Sequence, residues 1–378
     1  MPGSVVPVPS LDIAAGVVAL TTQLCDMESV SGNEGALADV LERSLRELPG
    51  WQVQRNGDAL VARTDRGRAQ RVVLAGHLDT VPVADNLPVR VEGDDVTGSL
   101  HGRGTVDMKG GVAIMLRLAA TLVEPVHDVT LVFYDCEEVE ATRNGLGRLV
   151  RENPDWVDGD VAVLLEPTDA RIEGGCQGTM RVAVSVPGVA AHSARSWRGM
   201  NAIHAAADVL DRLVAYEPRQ VDVDGLIYRE GLNAVGICGG IAGNVVPDRC
   251  VVTVNYRFAP DKDEPAALAH VSEVFSGYDL EVTDTSPGAR PGLTDPTIAS
   301  LVRAADEPVG PKYGWTDVAR FTALGVPAVN YGPGDPELAH RDDEHVPVEQ
   351  LHRCERVLSQ WLSPSGVPTQ APGQVPAS

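Results

Sequence analysis

Basic residues are in short supply in this chain: 31 lysines and arginines face 53 aspartates and glutamates, a formal net charge of −22 over 378 residues. That balance argues against nucleic acid or an anionic membrane surface as a partner, because both attract cationic patches. Long apolar runs are lacking as well. The opening MPGSVVPVPSLDIAAGVVAL has no basic stretch before its modest apolar segment, and no window approaches the length of a membrane span, so neither a secretory signal nor an anchor is expected. The six cysteines include no CxxC pair, which fits reduced thiols in a cytoplasmic protein rather than a disulfide framework. There is no internal repeat.

What the chain does contain is an ordered set of acids and histidines. His77 and Asp79 lie in AGHLDTVP, Asp107 in GRGTVDMKGG, Glu137 and Glu138 in YDCEEVE, Glu166 in LLEPT and His340 in ELAHRDDEHVP. Imidazole nitrogen and carboxylate oxygen are good ligands for zinc, and a catalytic site keeps one coordination position open for water. Two ions roughly 4 Å apart need a short carboxylate between them, and together they hold a nucleophilic water and a substrate carbonyl. Five of the seven residues suffice for two ions, with Asp107 as the candidate bridge. One of the paired glutamates can ligate while the other takes a proton from the water as general base. Taken singly, each has an ordinary reading: Asp107, just before the helix-like KGGVAIMLRLAATLV, could be an N-cap, and His345 in the same polar loop rivals His340. Cys136 beside Glu137 reads as inert packing in an apolar strand rather than a nucleophile.

Hydrophobic patterning gives the organisation. The length favours two domains. Residues 12–25 and 34–47 read as amphipathic helices. RVVLAG, VTLVFYD and DVAVLLE are continuous apolar runs of the kind found in buried strands, with helical segments at about 109–123 and 143–152. Alternation of strand and helix predicts an α/β domain, a mostly parallel sheet with helices on both faces, whose strands end at His77, Glu137 and Glu166, where open sheets of this kind place their sites. From Thr179 onward the pattern changes to alternating strands (180–187, LNAVGICGGIAG, RCVVTVNYRF, LEVTDT) and two helices (201–216, 264–275), an inserted α+β domain with a four-stranded antiparallel sheet. The reading is therefore a discontinuous catalytic domain, 1–179 and 290–362, an inserted dimerisation or lid domain at 180–289, and a Pro/Gly/Ser-rich disordered tail at 363–378.

The segments GHLDTVP, GRGTVDMKGG, the paired glutamates, EPT, GVAAHSARSWRGMNAI and the late AH resemble the zinc aminoacylase and carboxypeptidase family over about residues 12–362. Through YDCEEVE, GCQGTMRV, AHSARSW, NYRFAPD, KYGWTDVARF and NYGPGDPELAH, the chain is similar to the branch that removes succinate from N-succinyl-LL-2,6-diaminopimelate. Acetylornithine deacetylation, general N-acyl-amino-acid hydrolysis and carboxypeptidase action are the alternatives, and a non-catalytic metal-binding scaffold is a further one.

The resemblance implies two zinc ions per subunit, one position also open to cobalt or manganese. One would be held by His77, Asp107 and Glu166, the other by Asp107, Glu138 and His340. It also implies Glu137 as general base, Asp79 as the carboxylate orienting the His77 ring, a cis peptide bond at Asp107–Met108, and a homodimer in which His192 and Asn244 cross to the neighbouring site. Arg257, Asn244, Thr179 and the backbone of Gly314 and Trp315 fall at substrate-contact positions for a small N-acyl amino acid. Cys176 and Gln177 stand where some members carry basic residues, so carboxylate binding would fall to Arg181, Arg195 or Lys312. Given the net charge of −22, a substrate rich in carboxylates requires a local arginine cluster that overcomes the global field.

Overall fold

The structure is a computed structural model in which residues 11–364 are described. Residues 1–10, and all of the expected tail except Ser363 and Pro364, lie outside the described residues. The chain forms two compact units. The first comprises residues up to Glu173, Gly292–Gly310 and residues from Arg320 onward; the second comprises Gly174–Pro291 and Pro311–Ala319. Three segments sit differently from the sequence boundaries: Gly174–Thr179, which leads into the long strand Gly178–Pro187, Arg290–Pro291 and the Pro311–Ala319 loop all cluster with the second unit. None of these displacements has a signature in hydrophobic period.

In the first unit the central strands are Asp128–Tyr134, Arg71–His77, Val161–Leu164 and Ala328–Asn330, adjacent in that order and mutually parallel. Gln52–Asn56 and Ala59–Arg63 extend the sheet antiparallel on the Asp128 side. Both faces are covered. Val72, Leu74, Leu131 and Phe133 enter one core with the helices Val17–Cys25, Lys109–Thr121 and Val348–Leu362, while the alternate residues Val73, Ala75, Thr130 and Val132 are equally buried. Continuous burial explains the absence of polar alternation in these strands. The first helix starts at Val17, not residue 12, because Asp12 makes a turn in which its carboxylate accepts the Ala14 N–H and its carbonyl accepts the Ala15 N–H. The sequence pass did not anticipate a small sheet of Arg90–Glu92, Ser99–His101 and His345–Pro347; strands of three residues are too short to show a period.

The second unit holds the antiparallel sheet Gly231–Gly239, Arg249–Phe258, Gly178–Pro187, Asp279–Ser286, in that spatial order. Met180, Val182, Val184, Val252, Val254 and Tyr256 point to one side and bury against Ala206, Val209, Val271 and Phe275 of the helical segments Ala202–Val214 and Glu264–Val274. The other face carries Thr179, Arg181, Asn255 and Arg257.

Two glycines set the start of the Lys109–Thr121 helix against its surroundings. A Cβ on Gly111 would lie 2.4 Å from the Leu165 carbonyl oxygen, one residue before Glu166, and a Cβ on Gly110 would lie 2.7 Å from the Thr105 carbonyl oxygen. Alanine is the better helix former by about 1 kcal/mol, but Gly111→Ala must push helix and strand apart. The expected net effect is a loss of about 1–3 kcal/mol, read in denaturant or thermal melts; a gain in stability would refute the close approach.

Candidate metal centre

Because Asp128–Tyr134, Arg71–His77 and Val161–Leu164 are parallel neighbours, their C-terminal ends deliver Glu137 and Glu138, His77 and Asp79, and Glu166 to the same edge. Asp107 arrives just before the Lys109–Thr121 helix and is joined to Met108 by a cis peptide bond. It is not the N-cap: that position is Met108, and no side chain caps the helix. His340 comes from the loop after Pro336–Leu338, with φ of 65°.

These side chains converge around one carboxylate. Asp107 Oδ1 lies 3.0 Å from His77 Nε2, and Asp107 Oδ2 lies 3.3 Å from His340 Nε2, which is 2.8 Å from Glu138 Oε1. Donor atoms of His77, Asp107 and Glu166 fall within 4.8 Å of one another, as do those of Asp107, Glu138 and His340. A third such grouping, His77, Glu137 and Glu138, brings Glu137, the other glutamate of the pair, to the same place. The donors are nitrogen and oxygen only, a set suited to zinc, cobalt or manganese.

The electrostatics favour cations. Burial works to lower the His77 imidazole, but the carboxylates of Asp107 and Asp79 outweigh it and hold the ring well above its ordinary value. Hydrogen bonds to the carboxylates of Asp107 and Glu138 raise His340 to about 10. Burial would raise the Asp107 carboxyl, yet the two histidines hold it well below the usual range. Without an ion the imidazoles thus keep protons, and ion uptake must displace them, so affinity strengthens as pH rises.

The supports of the site were mostly illegible in the sequence. Asp79 is fully buried, and His77 Nδ1 lies 3.0 Å from its backbone oxygen but 3.6 Å from its carboxylate. The imidazole thus meets both the main chain and the carboxylate of Asp79, and the carboxylate takes further donors: the backbone N–H of Glu137 at 3.0 Å, that of Glu138 at 3.1 Å, and the Ser31 hydroxyl at 2.7 Å. Despite burial these bonds and His77 lower Asp79 to about 2. Glu34 accepts the Cys136 N–H at 3.1 Å, so two carboxylates fix three successive amides of the loop carrying the paired glutamates. Cys136 itself takes φ of 57°. Burial, with Glu34 beside it, pushes its thiol up to about 12, which removes it as a nucleophile.

Glu344 was overlooked altogether. It is buried, four residues past His340; Oε1 accepts the backbone N–H of Val106 at 3.0 Å and of Asp107 at 3.2 Å, and Oε2 pairs with buried Arg103 at 2.8 Å. Arg103 also donates to the Arg341 carbonyl. The GRG and DEH triplets flanking the site residues were the available signal. His345, the rival to His340, stacks on His101 with ring centroids 4.7 Å apart and gives Nδ1 to the Asp343 carbonyl at 2.8 Å.

The remaining site residues belong to the second unit. His192 and Asn244 are exposed neighbours: Ala191–His192 pairs with Val245–Val246, and the Ser193 N–H bonds the Asn244 carbonyl at 2.9 Å. Thr179 and Arg257 face each other across paired strands. Gly314 is exposed, and Trp315 Nε1 donates to the Pro287 carbonyl at 3.0 Å, an anchoring contact.

Glu344→Gln leaves Arg103 without its carboxylate while keeping an oxygen for the two amides. It is expected to weaken ion retention by about 10–100-fold in chelator competition; retention equal to that of the unaltered chain would remove Glu344 from the support of Asp107.

Comparison with known proteins gives the family. The family model for peptidase family M20/M25/M40 matches residues 73–363. A Mycobacterium tuberculosis protein described as a candidate succinyl-diaminopimelate desuccinylase is 56% identical over 355 residues, 93% of this chain and 99% of that protein. A Corynebacterium glutamicum succinyl-diaminopimelate desuccinylase is 47% identical over 366 residues, 94% of this chain and 98% of that protein. Among solved structures, a tripeptidase from Staphylococcus aureus shares the fold with a TM-score of 0.75 at 20% identity, covering 92% of this chain and 96% of its own. The chain belongs to peptidase family M20/M25/M40.

Proposed function

We propose that this protein hydrolyses the amide of N-succinyl-LL-2,6-diaminopimelate, releasing succinate and LL-2,6-diaminopimelate for lysine and cell-wall precursor synthesis. It is a metal-dependent hydrolase of its family. The observation that carries the reading at the site is the Asp107 carboxylate, whose two oxygens face two different imidazoles; the desuccinylase names of relatives at 56% and 47% identity support the substrate.

His77, Asp107 and Glu166 would hold one divalent ion, and Asp107, Glu138 and His340 a second, with zinc the first choice and cobalt or manganese able to replace it. When bound, such ions supply Lewis acidity to a carbonyl oxygen and make water a better nucleophile near neutral pH. Glu137 takes a proton from the attacking water and returns it to the departing nitrogen. The carbonyl carbon gains the water oxygen and loses the amide nitrogen. Asp79 holds Glu137 to this task through its backbone N–H. Arg257 receives a substrate carboxylate through its planar fork, with Thr179, Asn244 and the backbone of Gly314 and Trp315 as further contacts.

The protein is proposed to act as a homodimer in the cytoplasm, with His192 and Asn244 of one protomer serving the site of the other and His192 stabilising the oxyanion. Supporting this, the edge strand Gly231–Gly239 is exposed over most of its length and presents Val235 and Ile237, an open edge suited to pairing with a second chain. All six cysteines are free thiols, and among the described residues no helix is long and apolar enough to cross a membrane.

The test is succinate release from N-succinyl-LL-2,6-diaminopimelate by zinc-loaded protein, with N-acetylornithine in parallel. Chelator-sensitive succinate release is expected, and Glu137→Gln should retain metal while losing roughly 10²–10⁴-fold in turnover. Cleavage of acetylornithine alone would overturn the substrate, and near-normal turnover by Glu137→Gln would overturn the general base.

A further inference from the structure

On the helix-free face of the second unit's sheet two arginines occupy diagonal positions on adjacent strands. Asn255 pairs with Arg181 and Arg257 with Thr179, so Arg181 and Arg257 are diagonal neighbours on adjacent antiparallel strands and project from the same face. Both belong to the alternate set that the helices leave uncovered; Arg181 is exposed and Arg257 half-buried. Between them the Asn255 amide donates to the Thr179 hydroxyl at 3.1 Å.

The charge arrangement is unusual for a chain of net charge −22. Arg181 has only a loose partner, Asp284 at 3.8 Å, with both side chains about half exposed. Among the described residues Arg257 has no carboxylate at ion-pair distance, and burial together with the neighbouring Arg181 disfavours its charge. Two guanidiniums on one sheet face and incompletely neutralised are poised for an anion with more than one carboxylate. The positions just upstream cannot supply that charge. Cys176 is buried with Sγ toward the Thr316 carbonyl, and Gln177 is buried and donates to the Arg229 carbonyl. Of the other basic residues considered, Lys312 is buried and Arg195 lies on the exposed Ser193–Arg198 segment.

We infer that Arg181 is a specificity-determining residue, binding a second carboxylate of the substrate while Arg257 binds the first, so that this sheet face selects dicarboxylic over monocarboxylic N-acyl amino acids. The inference rests on the proposed amidohydrolase reading. The second carboxylate can come from the succinyl group or from the distal end of the diaminopimelate, and the test separates the two.

Steady-state constants would be measured for the zinc-loaded full chain and for Arg181→Gln and Arg181→Lys, with N-succinyl-LL-2,6-diaminopimelate, N-acetyl-LL-2,6-diaminopimelate and N-succinyl-L-norleucine. Titration calorimetry of succinate and of LL-2,6-diaminopimelate gives a readout independent of turnover. Arg181→Gln is expected to raise KM for the succinylated diaminopimelate at least about tenfold while kcat falls much less, with Arg181→Lys intermediate because it keeps charge but loses the fork. Loss of the preference for the succinyl over the acetyl substrate assigns Arg181 to the acyl carboxylate; loss of the preference for diaminopimelate over norleucine assigns it to the distal one. If the unaltered chain hydrolyses none of these, the activity reading fails, but weaker dicarboxylate binding by Arg181→Gln still upholds the inference. An equal effect of Arg181→Gln on all three substrates, or unchanged dicarboxylate binding, overturns it.

Discussion

The chemistry of the first unit is organised around the carboxylate of Asp107, whose Oδ1 faces His77 at 3.0 Å and whose Oδ2 faces His340 at 3.3 Å. A carboxylate shared in this way joins two donor sets into one, and it can do so only if its backbone is fixed from several directions. The buried helix Lys109–Thr121 starts two residues further on. Gly111 lets that helix touch the strand end before Glu166. Glu344 holds the amides of Val106 and Asp107 while standing in the loop that supplies His340.

Buried acids with structural work surround the acids of the site, and both kinds depend on hydrogen bonds to offset burial. Asp79 takes two amides and a hydroxyl, Glu34 takes the Cys136 amide, and Glu344 takes two amides and an arginine. Their effect is geometric. Glu137 and Glu138 leave the Asp128–Tyr134 strand through Cys136, in the left-handed region with φ of 57°, and the two carboxylates beneath them keep the loop from relaxing. A general base must sit within about 3 Å of the proton it moves, so this rigidity serves the role proposed for Glu137.

The sequence made the first unit legible because its strands are continuous apolar runs ending in the acids and histidine themselves; RVVLAGH, VTLVFYDCEE and DVAVLLE state both fold and site. The four-stranded sheet of the second unit was equally legible from the alternation of residues 180–187 and 249–258, where Val182, Val184, Val252 and Val254 are buried. Three kinds of feature were not. The resemblance implies Asp79 as a partner of the His77 ring, and only the fold shows that its carboxylate also takes amides 58 and 59 residues away. Glu344 lies in a run of charges, RDDEH, that resembles a solvated loop. Arg181 and Arg257 are far apart in the chain and become neighbours only through strand register. In each case the information lies in a long-range pairing, which local pattern cannot encode.

The most direct test is anomalous diffraction from crystals of the zinc-loaded protein. Two ions are expected roughly 4 Å apart, with an oxygen of Asp107 on each, His77 and Glu166 on one, and Glu138 and His340 on the other. A single ion, or two ions with no carboxylate in common, would contradict the shared-carboxylate centre.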